Sequence, residues 1–226
     1  MVVLGPPELA GIVSLPEFEA LARPIIDCDA YDYVAGGSWD EMTLEENIAA
    51  WRRRTLRPRV LVDVARVAVS TTMLGVPSAM PVAIAPTAAH GALDPEGELA
   101  TARAAAAAGI PFILSTFSSR SIEERAAGDG TRWLQLYVQS DPQRTRNLVE
   151  RAAAAGYGAI VLTVDMPVVG YRERDRRNRH DLPDPERSPL DVPDATGAYP
   201  KLAGGLPPSL TWSDLAAIRL STIPGT

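Results

Sequence analysis

From residue 81 onward, short apolar runs alternate along the chain with stretches whose small and charged residues follow a helical period. Asp-Pro or Ser-x-x-Glu sequences lie between the runs, and both sequences typically cap the starts of helices. This alternation predicts consecutive strand–helix units, and such α/β units build a parallel sheet with helices packed on its faces. The predicted strands are Pro81–Pro86, Phe112–Ser115, Trp133–Val138 and Ala159–Asp165.

The segment before residue 81 has a different pattern. Residues 14–35 read as helical with a break at Pro24, and a capping-box pattern at Thr43 predicts a second short helix. Residues 56–80 are rich in Val, Thr and turn residues, so we expect extended structure there. The predicted helices after residue 81 begin at Asp94, Ser121, Asp141 and Thr211.

Polar side chains follow the apolar part of every predicted strand. In a parallel sheet the carboxyl ends of the strands meet at one edge, where ligands bind. Asp165 comes after five apolar residues and Thr163, so it either caps the next element or orients a catalytic base. The residues at this edge are Thr87, Ser115, Gln135, Tyr137, Thr163 and Asp165.

Residues 166–210 interrupt the pattern with many Pro, Asp and Arg residues, which is typical of a lid, a binding loop or disorder. Arg172 lies seven residues after Asp165, near the predicted strand edge. A guanidinium there is suited to hold a substrate carboxylate with two parallel hydrogen bonds. The other basic residues of this stretch fit a solvated loop, and they are Arg174, Arg176, Arg177 and Arg179.

Composition narrows the class of protein. The 226 residues carry a net charge of −6, so a general nucleic-acid binder is not expected. The chain has one cysteine, no apolar stretch of membrane-spanning length and no signal-like start, which together predict a soluble cytoplasmic protein without disulfides. His90 and His180 are too far apart to suggest a metal site, and we read Cys28 as a small packed residue.

These residues predict an oxygen-rich site with an arginine, suited to a small anionic ligand, and they leave the reaction open. At the level of motifs, the chain resembles the FMN-dependent 2-hydroxy-acid oxidases and dehydrogenases, which include enzymes that oxidise glycolate, lactate and mandelate. The resemblance runs from about residue 14 to residue 182. It rests on segments 31–37, 57–59, 80–88, 95–98, 114–116, 135–137, 162–165 and 170–172.

The resemblance implies a TIM (β/α)8 barrel with FMN at the carboxyl-terminal mouth. The backbone of Ala85, Pro86, Thr87 and Ala88 is then expected to lie against the reactive edge of the flavin. The resemblance further implies that the polar side of the ring is bound by hydrogen bonds from Ser115, Gln135 and Thr163.

The resemblance also implies that an (S)-2-hydroxy acid is oxidised to a 2-oxo acid, while a histidine base takes the hydroxyl proton. Tyr33 and Tyr137 correspond to phenols that contact the substrate, and Arg172 to a carboxylate-binding arginine. Tyr137 and Asp165 would be the catalytic residues, with Asp165 orienting the base. Phe117 corresponds to a side chain that faces the substrate tail.

The base histidine, a flavin-side lysine, a second substrate arginine and the FMN-phosphate site of the family belong to later strands. The chain ends before a fifth strand, neither histidine matches the base, and Tyr171 replaces an arginine that many members have. We therefore expect the N-terminal part of such an oxidase, truncated or split, which by itself is purified without a flavin spectrum and shows no turnover. The alternative is a non-catalytic half-barrel that associates with another chain or with itself, since its outer strands are unpaired edges.

The expected organisation follows from this reading. A helical and extended segment covers residues 1–80, and the first four strand–helix units of the barrel cover residues 81–165. A lid-like loop covers residues 166–210, and the start of the fourth helix covers residues 211–226.

Overall fold

The computed structural model describes residues 9–126, 128–139, 141–166, 168, 170–178 and 210–221. These residues divide into two compact units. We call residues 9–56 with 170–178 the N-terminal unit, and residues 57–168 with 210–221 the sheet unit. The segment boundaries expected at residues 80, 165 and 210 stay predictions.

The strands and helices from residue 98 to residue 162 follow the order that the sequence predicts, whereas the strand predicted at Pro81–Pro86 is reduced to one bridge and a short helix lies within the predicted loop 166–210. The helices are α1 (Leu15–Ala22), α2 (Cys28–Ala35), α3 (Met42–Arg52), α4 (Glu98–Ala107), α5 (Ile122–Ala126), α6 (Pro142–Ala154), α7 (Glu173–Arg177) and α8 (Trp212–Ser221). The strands are β1 (Thr71–Met73), β2 (Val76–Ser78), β3 (Phe112–Leu114), β4 (Arg132–Leu136) and β5 (Ile160–Leu162).

The sheet unit is organised around the parallel strands β3, β4 and β5, which are adjacent in that order. The segment predicted as the first strand lies beside β3 and contributes one parallel bridge, from Ile84 to Phe112. Helices α4, α5 and α6 connect the strands, which confirms the α/β class. β1 and β2 form a separate antiparallel hairpin.

One apolar core holds the sheet to its helices. Leu114, Leu134 and Leu136 of the strands are fully buried, as are Leu148 of α6 and Ile122 of α5. Fully burying a side chain of this size contributes about 1.5–3 kcal/mol relative to leaving it exposed. The core thereby fixes the positions of the three strand ends that carry the predicted site.

Two of the predicted helix starts in the sheet unit are confirmed in detail. Asp141 accepts a hydrogen bond from the backbone N–H of Gln143 at 2.8 Å, directly ahead of α6. Ser121 and Glu124 exchange reciprocal hydrogen bonds of 2.8 and 3.2 Å at the start of α5. Both motifs satisfy backbone donors that a helix start leaves without partners.

The predicted start of α4 at Asp94 is wrong, because the helix begins at Glu98. The Asp94 carboxylate accepts from the backbone N–H of Glu96 at 2.8 Å and so closes a turn instead. Gly97 then adopts a φ of +56°, a left-handed conformation that glycine tolerates best. The chain therefore needs one extra turn before it enters the helix.

The N-terminal unit contains α1, α2, α3 and α7. Asp27 caps α2 by accepting from the backbone N–H groups of Asp29 and Ala30. The expected Thr43 cap of α3 is wrong, since the helix begins at Met42 and Thr43 lies within its first turn. Cys28 is exposed on α2, so the reading of a packed cysteine is also wrong.

An apolar, exposed stretch precedes the hairpin in the sheet unit. Val60, Leu61, Val64 and Val67 each expose more than 70% of their surface. Exposed apolar side chains are therefore concentrated in this stretch. Separately, none of the described helices has the length and apolar character needed to cross a membrane.

Candidate functional site

Polar side chains at the carboxyl ends of β3, β4 and β5 form one hydrogen-bonded row, which we call the Gln135 row. Ser115 Oγ donates to Gln135 Oε1 at 3.4 Å, and Gln135 Nε2 donates to Thr163 Oγ1 at 2.8 Å. Ser115 and Gln135 are buried and Thr163 is half-buried. The structure thus brings together three side chains that the sequence assigned separately to strand ends.

The direction of the Gln135 amide follows from a neighbouring backbone group. The N–H of Thr116 donates to Gln135 Oε1 at 3.0 Å, so the amide oxygen faces Thr116 and the NH2 group faces Thr163. Thr163 accepts in this row and keeps its own hydroxyl hydrogen, and Gln135 Nε2 carries a second N–H. Because Ser115 donates its hydrogen within the row, the two hydrogens that remain for a ligand belong to Gln135 Nε2 and Thr163 Oγ1, and they suit carbonyl oxygens or anionic groups.

Thr116 is a structural member of this site that sequence reasoning missed. Its buried hydroxyl donates to the carbonyl of Gln135 at 2.6 Å and accepts from the N–H of Tyr137 at 3.0 Å. It therefore joins the loop after β3 to the backbone that carries Tyr137. The only signal in the sequence was a second hydroxyl residue directly after Ser115.

Two further predicted residues are in contact with each other. The rings of Phe117 and Tyr137 lie 5.1 Å apart at an angle of 32°, and Phe117 is only 4% exposed. The Tyr137 hydroxyl donates to Met166 Sδ at 3.4 Å. The backbone N–H of Phe117 donates to Ser115 Oγ at 3.1 Å, which links this aromatic pair to the Gln135 row.

The segment expected beside the flavin, residues 85–88, is partly exposed at the same sheet edge. Ala85 and Thr87 are exposed, while Pro86 and Ala88 are half-buried. The next residue, Ala89, donates its N–H to the carbonyl of Phe117 at 3.0 Å. The segment is therefore fastened to the loop that carries Phe117.

A buried carboxylate that sequence reasoning missed strengthens this connection. Glu98 is fully buried and accepts from the N–H of His90 at 3.1 Å, from the N–H of Ser119 at 2.9 Å and from Ser119 Oγ at 2.6 Å. His90 Nδ1 lies 3.0 Å from Thr101 Oγ1. His90 thus belongs to a network between two loops, as expected for a loop histidine.

Asp165 follows β5 at the same edge and is exposed. Its expected role in orienting a base stays a prediction, and His180 lies outside the described residues. Among the residues that the structure describes, no three His, Cys, Asp or Glu side chains are grouped so as to hold a metal ion.

The N-terminal unit holds the other predicted substrate residues, Arg172 and Tyr33. Arg172 Nε donates to Asp175 Oδ2 at 2.6 Å, Nη1 donates to the carbonyl of Gly36 at 3.0 Å, and Nη2 donates to the carbonyl of Tyr33. Its Cζ lies 5.2 Å from the centre of the Tyr33 ring. Arg172 thus binds carbonyls at the end of α2, where the helix dipole favours a cation.

The Tyr33 phenol stays protonated well above neutral pH. Burial is the main cause that raises its pKa, and the negative charge of Asp175 raises it further, while the Arg172 guanidinium acts in the opposite direction. A neutral phenol both donates and accepts hydrogen bonds. Tyr33 therefore has the protonation state that contact with a carboxylate requires.

Arg174 departs from the solvated role expected for it. Its guanidinium is half-buried, with Nη2 donating to Glu41 Oε2 at 2.6 Å and Nη1 lying 3.6 Å from Asp32. The N–H of Gly37 and the bond from Arg174 hold the pKa of Glu41 below its usual range. These bonds fasten α7 to the turn before α3, a function that the charge pattern did not reveal.

The neighbouring arginines of α7 also contact side chains of the N-terminal unit. Tyr171 stacks on Trp39 with ring centres 4.4 Å apart, and the Arg176 guanidinium lies 4.2 Å from the Tyr171 ring centre. Arg177 forms an exposed ion pair with Glu173. Arg179 lies outside the described residues.

The chain is similar to proteins of one family over nearly its whole length. A family model described as FMN-dependent dehydrogenase matches residues 22–223. The chain is 45% identical to an L-lactate oxidase from Nostoc sp., over 94% of this chain and 62% of that protein. It is 41% identical to glycolate oxidase 1 from Zea mays, over 94% of this chain and 61% of that protein.

Solved structures give the same result. A crystal structure of mandelate oxidase matches with a TM-score of 0.82 and 39% identity, over 93% of this chain and 60% of that chain. This agreement confirms the predicted fold class, that of the barrel to which these strand–helix units belong. The chain spans about three fifths of the length of the relatives named here. By the extent of the family match, it belongs to the FMN-dependent dehydrogenase family.

Proposed function

We propose that this chain contributes flavin-ring and substrate-carboxylate contacts to the FMN-dependent oxidation of an (S)-2-hydroxy acid to a 2-oxo acid. The observation that carries the proposal is the Gln135 row, which presents hydrogen-bond donors from adjacent strands at one sheet edge. Membership of the family supports FMN as the cofactor. Relatives named for lactate and glycolate support a short 2-hydroxy acid as substrate.

The donor set of the Gln135 row fits the polar edge of a flavin, whose carbonyl oxygens and ring nitrogens accept hydrogen bonds. In this proposal Gln135 and Thr163 donate to that edge, Ser115 holds the Gln135 amide in place, and the backbone of residues 85–88 contacts the ring. When bound, FMN supplies the acceptor for the two electrons that the hydroxy acid loses. Fixed neutral donors stabilise negative charge without reorganising, which suits a ring that becomes more negative on reduction.

The substrate carboxylate is assigned to Arg172. A guanidinium has five N–H groups, and hydrogen bonds within the described residues use three of them, which leaves two for a carboxylate. Tyr33 is half-buried under this guanidinium and supplies a neutral phenol. Tyr137 is assigned to the substrate hydroxyl, with Phe117 packed against its ring beside the substrate tail.

The proton of the substrate hydroxyl requires a base. We assign Asp165 the role of orienting a histidine, as the family resemblance implies, and its exposed position at the end of β5 is compatible with that role. His90 is not assigned as the base, because its backbone and ring are engaged in the network of Glu98 and Thr101.

Titration of riboflavin and FMN into the purified chain tests the flavin assignment, with binding followed by the change in flavin fluorescence. Riboflavin is included because the proposed contacts are made to the ring. We expect Gln135→Leu to weaken the binding of both flavins about tenfold or more, since it removes a donor and disorders its neighbours. Gln143→Leu, an exposed change on α6, is the matched control and is expected to leave binding unchanged.

Two results would contradict the flavin assignment. Riboflavin that fails to bind at any concentration shows that the row does not hold the ring. Equal flavin affinities of wild type and Gln135→Leu, with circular dichroism showing both chains folded, lead to the same conclusion.

A cytoplasmic location, inferred from the sequence, remains part of the proposal and is tested by cell fractionation.

A second candidate function is a non-catalytic half-barrel that pairs with a second copy of the chain. The observation in its favour is an apolar cavity of about 430 Å³ beside β5, with Val149 and Ala153 of α6 and Leu215 and Ile218 of α8 in its lining. Within the described residues no strand pairs with the outer side of β5, and a second copy would offer a parallel strand there. Light scattering tests this candidate function, because a chain that stays monomeric at high concentration does not pair with a second copy.

A further inference from the structure

The pair of Arg172 and Asp175 is the most enclosed ion pair among the described residues. Asp175 is 7% exposed, and its Oδ2 accepts from Arg172 Nε at 2.6 Å. Arg172 directly precedes α7 and Asp175 lies within it, so the short helix sets the separation between the two side chains. This pair stands apart from the exposed pair of Arg177 and Glu173 on the same helix.

The second oxygen of Asp175 has no assigned structural task. Asp175 Oδ1 is buried and has no hydrogen-bond partner among the described residues. A buried carboxylate with an unsatisfied oxygen is costly, and within the described part of the chain the bond to Arg172 is the one hydrogen bond from a side chain that offsets that cost. The bonding of this carboxylate is thus directed at one group, the guanidinium of Arg172.

The other hydrogen bonds of Arg172 complete a rigid arrangement. Its Nη atoms donate to the carbonyls of Gly36 and Tyr33, and its Cζ lies 5.2 Å from the Tyr33 ring centre. A planar guanidinium held through all three nitrogens has little freedom to rotate. If the bond at Nε were lost, only the carbonyls of Gly36 and Tyr33 would hold the guanidinium, and both of them bind its Nη atoms.

We propose that Asp175 is a positioning residue that holds the Arg172 guanidinium beside Tyr33 in the pose that binds the substrate carboxylate. Its negative charge at the same time limits how tightly that carboxylate binds. This inference rests on the proposed function of Arg172, and it adds a residue that no motif in the sequence indicated.

Two substitutions at this position separate geometry from charge. Asp175→Asn keeps an oxygen that accepts from Nε and removes the charge, so the pose is kept and repulsion of an incoming carboxylate falls. Asp175→Ala removes both the acceptor and the charge, so the guanidinium is no longer oriented. A positioning role therefore predicts weaker carboxylate binding by Asp175→Ala but not by Asp175→Asn, whereas a merely structural role predicts a loss in both variants.

The experiment uses the complete 226-residue chain labelled with ¹⁵N. L-lactate is titrated while the Nε–H signal of Arg172 is followed by NMR, and the hydrogen-exchange rate of that N–H is measured without ligand. For Asp175→Ala we expect about tenfold weaker lactate binding and faster exchange. For Asp175→Asn we expect equal or tighter binding and exchange close to that of wild type.

Glu173→Ala is the matched control, since it removes a carboxylate from the same helix, and we expect it to leave both readouts unchanged. If Asp175→Ala does not fold, Asp175→Glu, which displaces the acceptor by one methylene group, replaces it.

The inference is overturned if Asp175→Ala leaves the exchange rate of Nε–H as in wild type, or if both variants weaken lactate binding equally. Absence of lactate binding by the wild-type chain would instead contradict the substrate role of Arg172 in the proposed function. The exchange rate alone would then decide whether Asp175 holds the guanidinium.

Discussion

The two regions that carry the predicted site residues hold their side chains by different physical means. In the sheet unit, the Gln135 row consists of neutral groups at the ends of adjacent strands. In the N-terminal unit, Arg172 and Arg174 are held by carboxylates of Asp175, Glu41 and Asp32. Parallel strands lie about 4.8 Å apart, so side chains at their ends meet without further help. A loop and a short helix have no such regular spacing, so in the N-terminal unit charged pairs hold the side chains in place instead.

Arg172→Leu is expected to have the largest effect on stability, lowering the free energy of unfolding by about 3 kcal/mol, because it leaves Asp175 buried without its partner. Urea unfolding followed by circular dichroism measures the change. Arg177→Leu on the same helix is the control, and its exposed ion pair is worth about 0.5 kcal/mol or less. Equal losses in the two variants would remove the distinction between enclosed and exposed pairs.

Gln135→Leu is expected to cost about 2 kcal/mol in the same measurement. The change leaves the N–H of Thr116 without its acceptor in a buried position and also removes the donor to Thr163. The exposed control Gln143→Leu is expected to change the free energy of unfolding by less than about 0.5 kcal/mol. A loss as small as that of the control would show that the Gln135 row does not contribute to stability.

Thr163→Val is expected to cost about 1 kcal/mol, less than Gln135→Leu because water can reach the half-buried end of the row. Thr163→Ser keeps the hydroxyl and should recover most of the stability. If Thr163→Ser is as unstable as Thr163→Val, stability depends on the methyl group of Thr163 and not on its hydroxyl. The hydrogen bond from Gln135 to Thr163 then contributes nothing to stability.

Acid is expected to weaken the N-terminal unit through Glu41, with the smallest effect of the four. Its pKa is held low by the N–H of Gly37 and by Arg174, so its contribution is present above the ordinary glutamate pKa and is lost as the pH falls. The stability difference between wild type and Glu41→Gln should therefore shrink as the pH falls below the ordinary glutamate pKa and vanish only below the lowered pKa of Glu41. Glu45→Gln, on the exposed face of α3, is the control, and a difference that persists in acid would exclude this cause.

The order of strands and helices in the sheet unit was predictable from the sequence because local chemistry sets it. The caps at Ser121 and Asp141 form as predicted, since their partners lie within three residues. The caps expected at Thr43 and Asp94 are wrong. The first helix begins one residue before Thr43, and the Asp94 carboxylate accepts from the N–H of Glu96 and closes a turn ahead of the second.

The candidate site was only partly predictable. Residues at strand ends, such as Ser115 and Gln135, are recognisable because apolar runs point to them. Thr116, Glu98 and Asp175 have no such flanking pattern and were missed. Thr116 and Glu98 are buried and bond to Gln135 and Ser119, which lie 19 and 21 positions away. Asp175 is buried three positions from Arg172. Periodicity reports neither the burial of these polar groups nor their partners.

The sequence by itself determined the α/β class, the family and the polar character of the strand ends, because caps, apolar periods and motifs are local properties. Only the tertiary structure decided how those groups are used. The bond from Arg172 to the carbonyl of Gly36 joins residues 136 positions apart, and the bond from Gln135 to Thr163 spans 28 positions. Which way an amide points, and which carboxylate holds an arginine, depends on such distant partners, since a hydrogen bond forms only where folding brings donor and acceptor together.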